Sequence, residues 1–194
     1  MKKIASVKDI IVLPDPRLRQ KSESVDIIDQ EILDIIKNMK QAALDWEKTR
    51  PHEVSTALTA VQMGIMKRIV IVREDFGDKK NTNFQTLINP KIISTGGKII
   101  RDFEGCLSVP DIYGKVARPD RVKIKAKNEK GETFFIKARG FLSRVLQHEY
   151  DHTEGIVFID RIKNTNDFYR LDDEGELQRI DYDTNVKPTG FLRD

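Results

Sequence analysis

Two runs in which apolar and polar residues alternate, Arg121–Lys127 (R-V-K-I-K-A-K) and Thr133–Ala138 (T-F-F-I-K-A), flank the turn-forming Asn128-Glu129-Lys130-Gly131. A period of two puts one face of a strand in solvent and the other in a core, and the turn joins the two runs as a hairpin. The period then changes. From Gly140 to Gly155 the chain reads G-F-L-S-R-V-L-Q-H-E-Y-D-H-T-E-G, in which Phe141, Leu142, Val145 and Leu146 form a helical stripe and Gly155 offers a stop. A hairpin running straight into a helix constrains the chain to a mixed fold.

The remainder agrees with that class. Asp26 to Trp46 carries Ile28, Ile32, Leu33, Ile35, Ile36, Met39, Ala43 and Leu44 at intervals of three and four, which predicts an N-terminal amphipathic helix. Ile69-Val70-Ile71-Val72 is short and β-branched throughout, the signature of a buried strand. Phe84 to Asn89 reads as a further strand closed by Asn89-Pro90, and Thr95-Gly96-Gly97 as a turn. In Glu104-Gly105-Cys106-Leu107-Ser108-Val109-Pro110, the glycine permits close backbone approach and the proline is expected to end the segment. Beyond Ile162 the chain turns polar and acidic without a sustained period, so no element is assigned to residues 163–194.

The fold expected is therefore α+β, with mostly antiparallel strands around a central helix. Residues 1–162 are expected to form a single catalytic domain, with 163–194 a polar extension. The 194 residues suffice for one core. With 34 Lys and Arg against 31 Asp and Glu, the net charge is only +3, which argues against direct nucleic-acid readout. Lys8 and Asp9 interrupt the apolar run that an export signal needs, and no run approaches the length of a membrane span. A cytoplasmic protein is expected. One cysteine, Cys106, excludes an internal disulfide.

On the second helix, His148 and His152 stand four positions apart and share a face, so both imidazoles can grip one metal ion. Glu149 follows the first of them, placed to serve as general base on a metal-activated water. A third ligand decides the enzyme class. Downstream, the spacing to a further histidine fails at Phe158, and the carboxylates Asp172, Asp173, Glu174 and Glu176 lie in an acidic run that reads as solvated surface. Upstream, the inventory offers Cys106 and His52, the latter beside Pro51 in a charged loop and most simply a surface histidine.

At these residues the chain resembles the peptide deformylases. Glu104-Gly105-Cys106-Leu107-Ser108 and Gln147-His148-Glu149-Tyr150-Asp151-His152 match two of that family's motifs, in the family's order. The third motif (glycine, apolar, glycine, apolar, alanine, alanine, any residue, glutamine) falls on Ser55 to Gln62. Here Leu58, Ala60 and Gln62 agree, while Ser55 and Ala57 replace both glycines and Thr59 replaces an alanine.

The resemblance implies a metal-dependent hydrolase that removes the formyl group from nascent N-formylmethionyl polypeptides and releases formate. It implies one divalent metal ion per chain held by Cys106, His148 and His152. Ferrous iron is the family's usual ion, and Zn2+, Ni2+ or Co2+ suit the same donors. Glu149 would be the acid/base, and the Gln62 side chain and Leu107 backbone N–H would stabilise the oxyanion. Thr56, Ala57 and Gly105 would border the substrate, where the Ala57 methyl narrows the cleft. Asp151 is assigned either to the surroundings of the ligands, with Arg118 as partner, or to solvent. The partner expected is the formylated peptide, on ribosome-associated nascent chains, with no membrane. Two other readings stand beside this one, a zincin-like metallopeptidase and a non-catalytic deformylase-like protein that binds N-termini.

Overall fold

The computed structural model describes residues 5–50 and 53–192; His52 lies outside them. Seven strands form one antiparallel sheet, in the order β1-β2-β3-β4-β6-β7, with β5 also paired to β4. The strands are β1 (Ala57–Thr59), β2 (Ile69–Arg73), β3 (Phe84–Cys106), β4 (Val109–Lys127), β5 (Thr133–Arg139), β6 (Phe168–Leu171) and β7 (Leu177–Arg179). The main helices are α1 (Gln30–Lys48) and α2 (Gly140–Thr153), and a short α3 (Tyr182–Asn185) follows β7. No helix among the described residues is long and apolar enough to cross a membrane.

The β-branched run at β2 is buried at all five positions because both of its faces are covered. Ile69 and Ile71 join Ile32, Ile36, Met39 and Ala43 of α1, while Val70 and Val72 join Val145 and Leu146 of α2. Helix α1 begins later than its apolar pattern, because the Asp29 carboxylate accepts the Ile32 N–H at 3.1 Å and caps it there. The β4–β5 hairpin has the expected register, with Ile124 opposite Ile136.

Three expectations from punctuation residues are corrected. Asn89-Pro90 and Gly96-Gly97 do not end strands; both lie inside β3, at register shifts where the ladder needs no donor or admits a positive φ. Asn89 has φ 52, and its carboxamide closes two 2.8 Å hydrogen bonds with the backbone of Val25; Gly97 has φ 80. Pro110 likewise lies within β4, in an irregularity between the pairs Cys106–Val109 and Glu104–Gly114.

The stretch beyond residue 162 also has structure. β6 pairs with β4 through Tyr113 and Gly114, and β7 follows it. Phe168 and Val186 are buried with Leu13, Val109, Ile112 and Phe158 in a third apolar cluster. Single anchors of this kind carry no period, which is why the sequence pattern is silent there.

Candidate metal centre and cleft

Helix α2 is packed on nearly every side, and Gln147 and Arg144 are held by the strands around it. The Gln147 amide donates to Pro119 O at 2.9 Å, and Arg144 donates to the carbonyls of Ile100 and Val116 at 2.7 and 2.8 Å. Gly155, at φ 71, turns the chain away; a Cβ there would meet Arg19 O at 2.5 Å. These contacts fix how His148, Glu149 and His152 face the β3–β4 turn. Cys106 ends β3 at that turn, with Leu107 and Ser108 between it and Val109.

The ligand atoms of Cys106, His148 and His152 all lie within 4.8 Å of one another, the one such metal-capable group among the described residues. Cys106 Sγ is 3.2 Å from His152 Nε2. Donors bound tetrahedrally at 2.0–2.3 Å sit roughly 3.5 Å apart, so the spacing fits a divalent transition metal. Asp172 is elsewhere, shaping an exposed turn between β6 and β7 by accepting the Glu176 N–H at 2.7 Å.

Glu104 sets the imidazole of His148. Its Oε2 lies 2.9 Å from His148 Nδ1 and also accepts from Arg118 at 2.9 Å, while Oε1 accepts from Arg118 at 2.6 Å and Arg144 at 2.7 Å. Engaging Nδ1 leaves Nε2 as the nitrogen able to ligate a metal. Burial opposes the charge on Glu104, yet the bonds from Arg118 and His148 outweigh it and hold the carboxyl well below the usual range. Arg118 also donates to Asp151 at 2.8 Å, and Asp151 accepts from Arg161 at 2.5 Å, so Asp151 belongs to the ionic network that holds Glu104 against His148. Phe158 stacks on His148 with centroids 5.9 Å apart.

Burial alone depresses both imidazoles. For His148, contacts with Cys106 and Glu104 reverse the effect and hold it well above the ordinary value, while His152, repelled by His148, is held well below it. The Nδ1 of His152 is buried without a partner among the described residues. A thiol and two crowded imidazoles, one aimed by a carboxylate, are donor chemistry that a divalent cation satisfies.

A cleft of about 240 Å³ opens beside this group, walled by Trp46, Thr56, Tyr113, Phe141 and Val145 and reaching Gln62, Cys106, His148 and Glu149. Ala57, Gly105 and Leu107 line it too, whereas Ser55 does not; the Ser55 N–H is tied to Glu47 Oε1 at 2.8 Å. A Cβ on Gly105 would come within 2.5 Å of Tyr113, so glycine keeps this wall in place. Gln62 caps a 3-10 turn, Ala60–Met63, by accepting the Thr59 N–H at 2.8 Å; its NH2 then faces Ser108 Oγ at 3.2 Å and Cys106 Sγ at 3.4 Å. Glu149 is buried, and burial raises its carboxyl above the usual range.

The Glu104–Arg144 pairing and the Thr59 contact described below have no signal in spacing. The Glu104 carboxylate is marked only by its place in the motif around Cys106.

The family model for polypeptide deformylase matches residues 7–168. The peptide deformylase of Thermomicrobium roseum is 37% identical over 174 residues, covering 88% of this chain and 94% of that protein. Peptide deformylase 1 of Bacillus subtilis is 33% identical over 173 residues, covering 89% and 99%. Among solved structures, a peptide deformylase from Synechococcus elongatus in complex with actinonin superposes with a TM-score of 0.70 at 34% identity, covering 84% of this chain and 82% of that one.

Proposed function

The chain belongs to the peptide deformylase family and removes the N-terminal formyl group from polypeptides, and on that premise we propose that Cys106, His148 and His152 hold the family's divalent metal while Glu149 is the acid/base. The observation that carries this reading is the convergence of the three donor side chains beside a buried carboxylate at the end of a cleft. A bound divalent ion acidifies water and polarises a carbonyl. With soft and borderline donors, Fe2+ is our assignment, and Zn2+, Ni2+ and Co2+ are ions the same set accepts.

The chain's own residues do the rest. Glu149 takes a proton from the attacking water as its oxygen bonds to the formyl carbon. Charge then grows on the former carbonyl oxygen, where the Gln62 NH2 and the Leu107 backbone N–H donate to it; Gln62 is already aimed because its own oxygen is held by Thr59. Glu149 passes the proton to the amine, the carbon–nitrogen bond breaks, and formate leaves. Thr56, Ala57 and Gly105 border the peptide in the cleft, and the Ala57 methyl limits the residues that fit. We take residues 1–162 as the catalytic unit, with 163–194 an extension docked on it. The substrates are nascent chains met at the ribosome in the cytoplasm.

Formate release from formyl-Met-Ala-Ser tests the reading. Wild type is expected to release formate, and Glu149→Ala to lose that activity while keeping its metal. Metal-replete wild type without formate release would overturn the proposal.

A further inference from the structure

Thr59 touches both polar groups assigned to the chemistry. It is fully buried where β1 gives way to the 3-10 turn. Its backbone N–H holds Gln62 Oε1 at 2.8 Å, and its hydroxyl donates to Glu149 Oε2 at 2.6 Å. Among the described residues this hydroxyl is the sole hydrogen-bond donor to the Glu149 carboxylate. The second oxygen, Oε1, has no such partner and is left to the cleft that Glu149 lines.

A glutamate side chain has three soft torsions, and its terminal one is broad and nearly two-fold, so a carboxylate held by packing alone samples several headings. One short bond from a β-branched residue with restricted χ1 removes most of that freedom. The hydroxyl stands at the position where the family motif has alanine, a residue with no side-chain donor to offer Glu149.

We infer that the Thr59 hydroxyl is a positioning residue for Glu149, fixing which carboxylate oxygen faces the formyl group while its own amide fixes Gln62. The inference rests on the proposed role of Glu149. Side-chain substitution separates the two contacts, because the backbone bond to Gln62 survives it. Thr59→Val keeps the shape and removes the hydroxyl, and Thr59→Ser keeps the hydroxyl.

The experiment measures steady-state formate release from formyl-Met-Ala-Ser, with metal content and Tm recorded for each protein. In Thr59→Val, kcat is expected to fall roughly tenfold with KM within about twofold and metal content unchanged, since sub-ångström misplacement of a catalytic group has effects of this order. Thr59→Ser is expected to stay within about threefold of wild type. Should the valine variant fail to fold, Thr59→Ala against Thr59→Ser gives the same comparison. Equal kcat in the serine and the valine or alanine variants overturns the inference, as does a fall in Tm with kcat unchanged, which marks a structural tie between β1 and α2. An inactive, metal-replete wild type would instead overturn the assignment of Glu149.

Discussion

Replacing Glu104 with glutamine exchanges one carboxylate oxygen for an NH2 in a site where both oxygens accept. Oε1 accepts from Arg118 and Arg144, and Oε2 accepts from Arg118 and lies against His148 Nδ1, all between 2.6 and 2.9 Å. A carboxamide keeps one oxygen and turns the other position into an NH2, which then faces two donors whichever way it flips. Arg118 retains Asp151 and Arg144 retains its backbone acceptors, so the loss falls at the low end of the 3–5 kcal/mol typical of a broken buried pair, about 3 kcal/mol. For a chain of this size each kcal/mol moves Tm by about 2–4 °C, giving a fall of about 6–12 °C in a thermal melt. With His148 no longer held, metal affinity in a chelator competition is expected to drop about 10–100-fold. A Glu104→Gln protein within about 2 °C of wild type, with metal affinity unchanged, would show that Glu104 does not anchor His148.

Gln62→Leu removes the proposed oxyanion donor and the cap on Thr59, and kcat is expected to fall about 100- to 1,000-fold with the metal retained, checked by formate release on metal-analysed protein. Phe168→Ala empties a site in the third apolar cluster and is expected to cost about 3–5 kcal/mol in a urea titration, showing that the segment beyond residue 162 is integral to the fold. Glu129 ties the hairpin turn to α1 and β3 through Lys40 at 2.7 Å and Thr86 at 2.6 Å, and although burial opposes it, those bonds lower its pKa below the ordinary 4.5. Its stabilising contribution is present above that value and is lost as pH falls through the lowered one, so Glu129→Gln is expected to lower Tm by about 2 °C at neutral pH and to match wild type in strong acid.

What the sequence made legible were features carried by periodicity or by motif. The β2 run, the β4–β5 hairpin and both long helices follow from burial on one face or two. His148 and His152 are legible as a pair from their helical spacing, whereas Cys106 is joined to them by the resemblance to the family's two motifs, the residue inventory by itself leaving Cys106 and His52 both open. The continuation of β3 through Asn89-Pro90 was hidden because proline and a positive φ read as breaks, whereas the fold absorbs them in register shifts braced by Val25. The elements beyond residue 162 were hidden because Phe168 and Val186 act as isolated anchors. The ionic cradle is legible only in part: Arg118 is a candidate partner of Asp151 and Glu104 is marked by its motif, but the burial that joins both to Arg144 has no signal in the sequence, where Arg144 looks like any solvated charge. Thr59 had no signal beyond its departure from the motif, and only the chain's path brings it to Glu149.

Metal stoichiometry and formate release measured on one anaerobic preparation, wild type beside Cys106→Ser, test the centre most directly. The expected result is one divalent ion per chain with formate release in wild type, and loss of both in the serine variant. Full metal occupancy and undiminished formate release in Cys106→Ser would contradict the assignment of the thiol as a ligand.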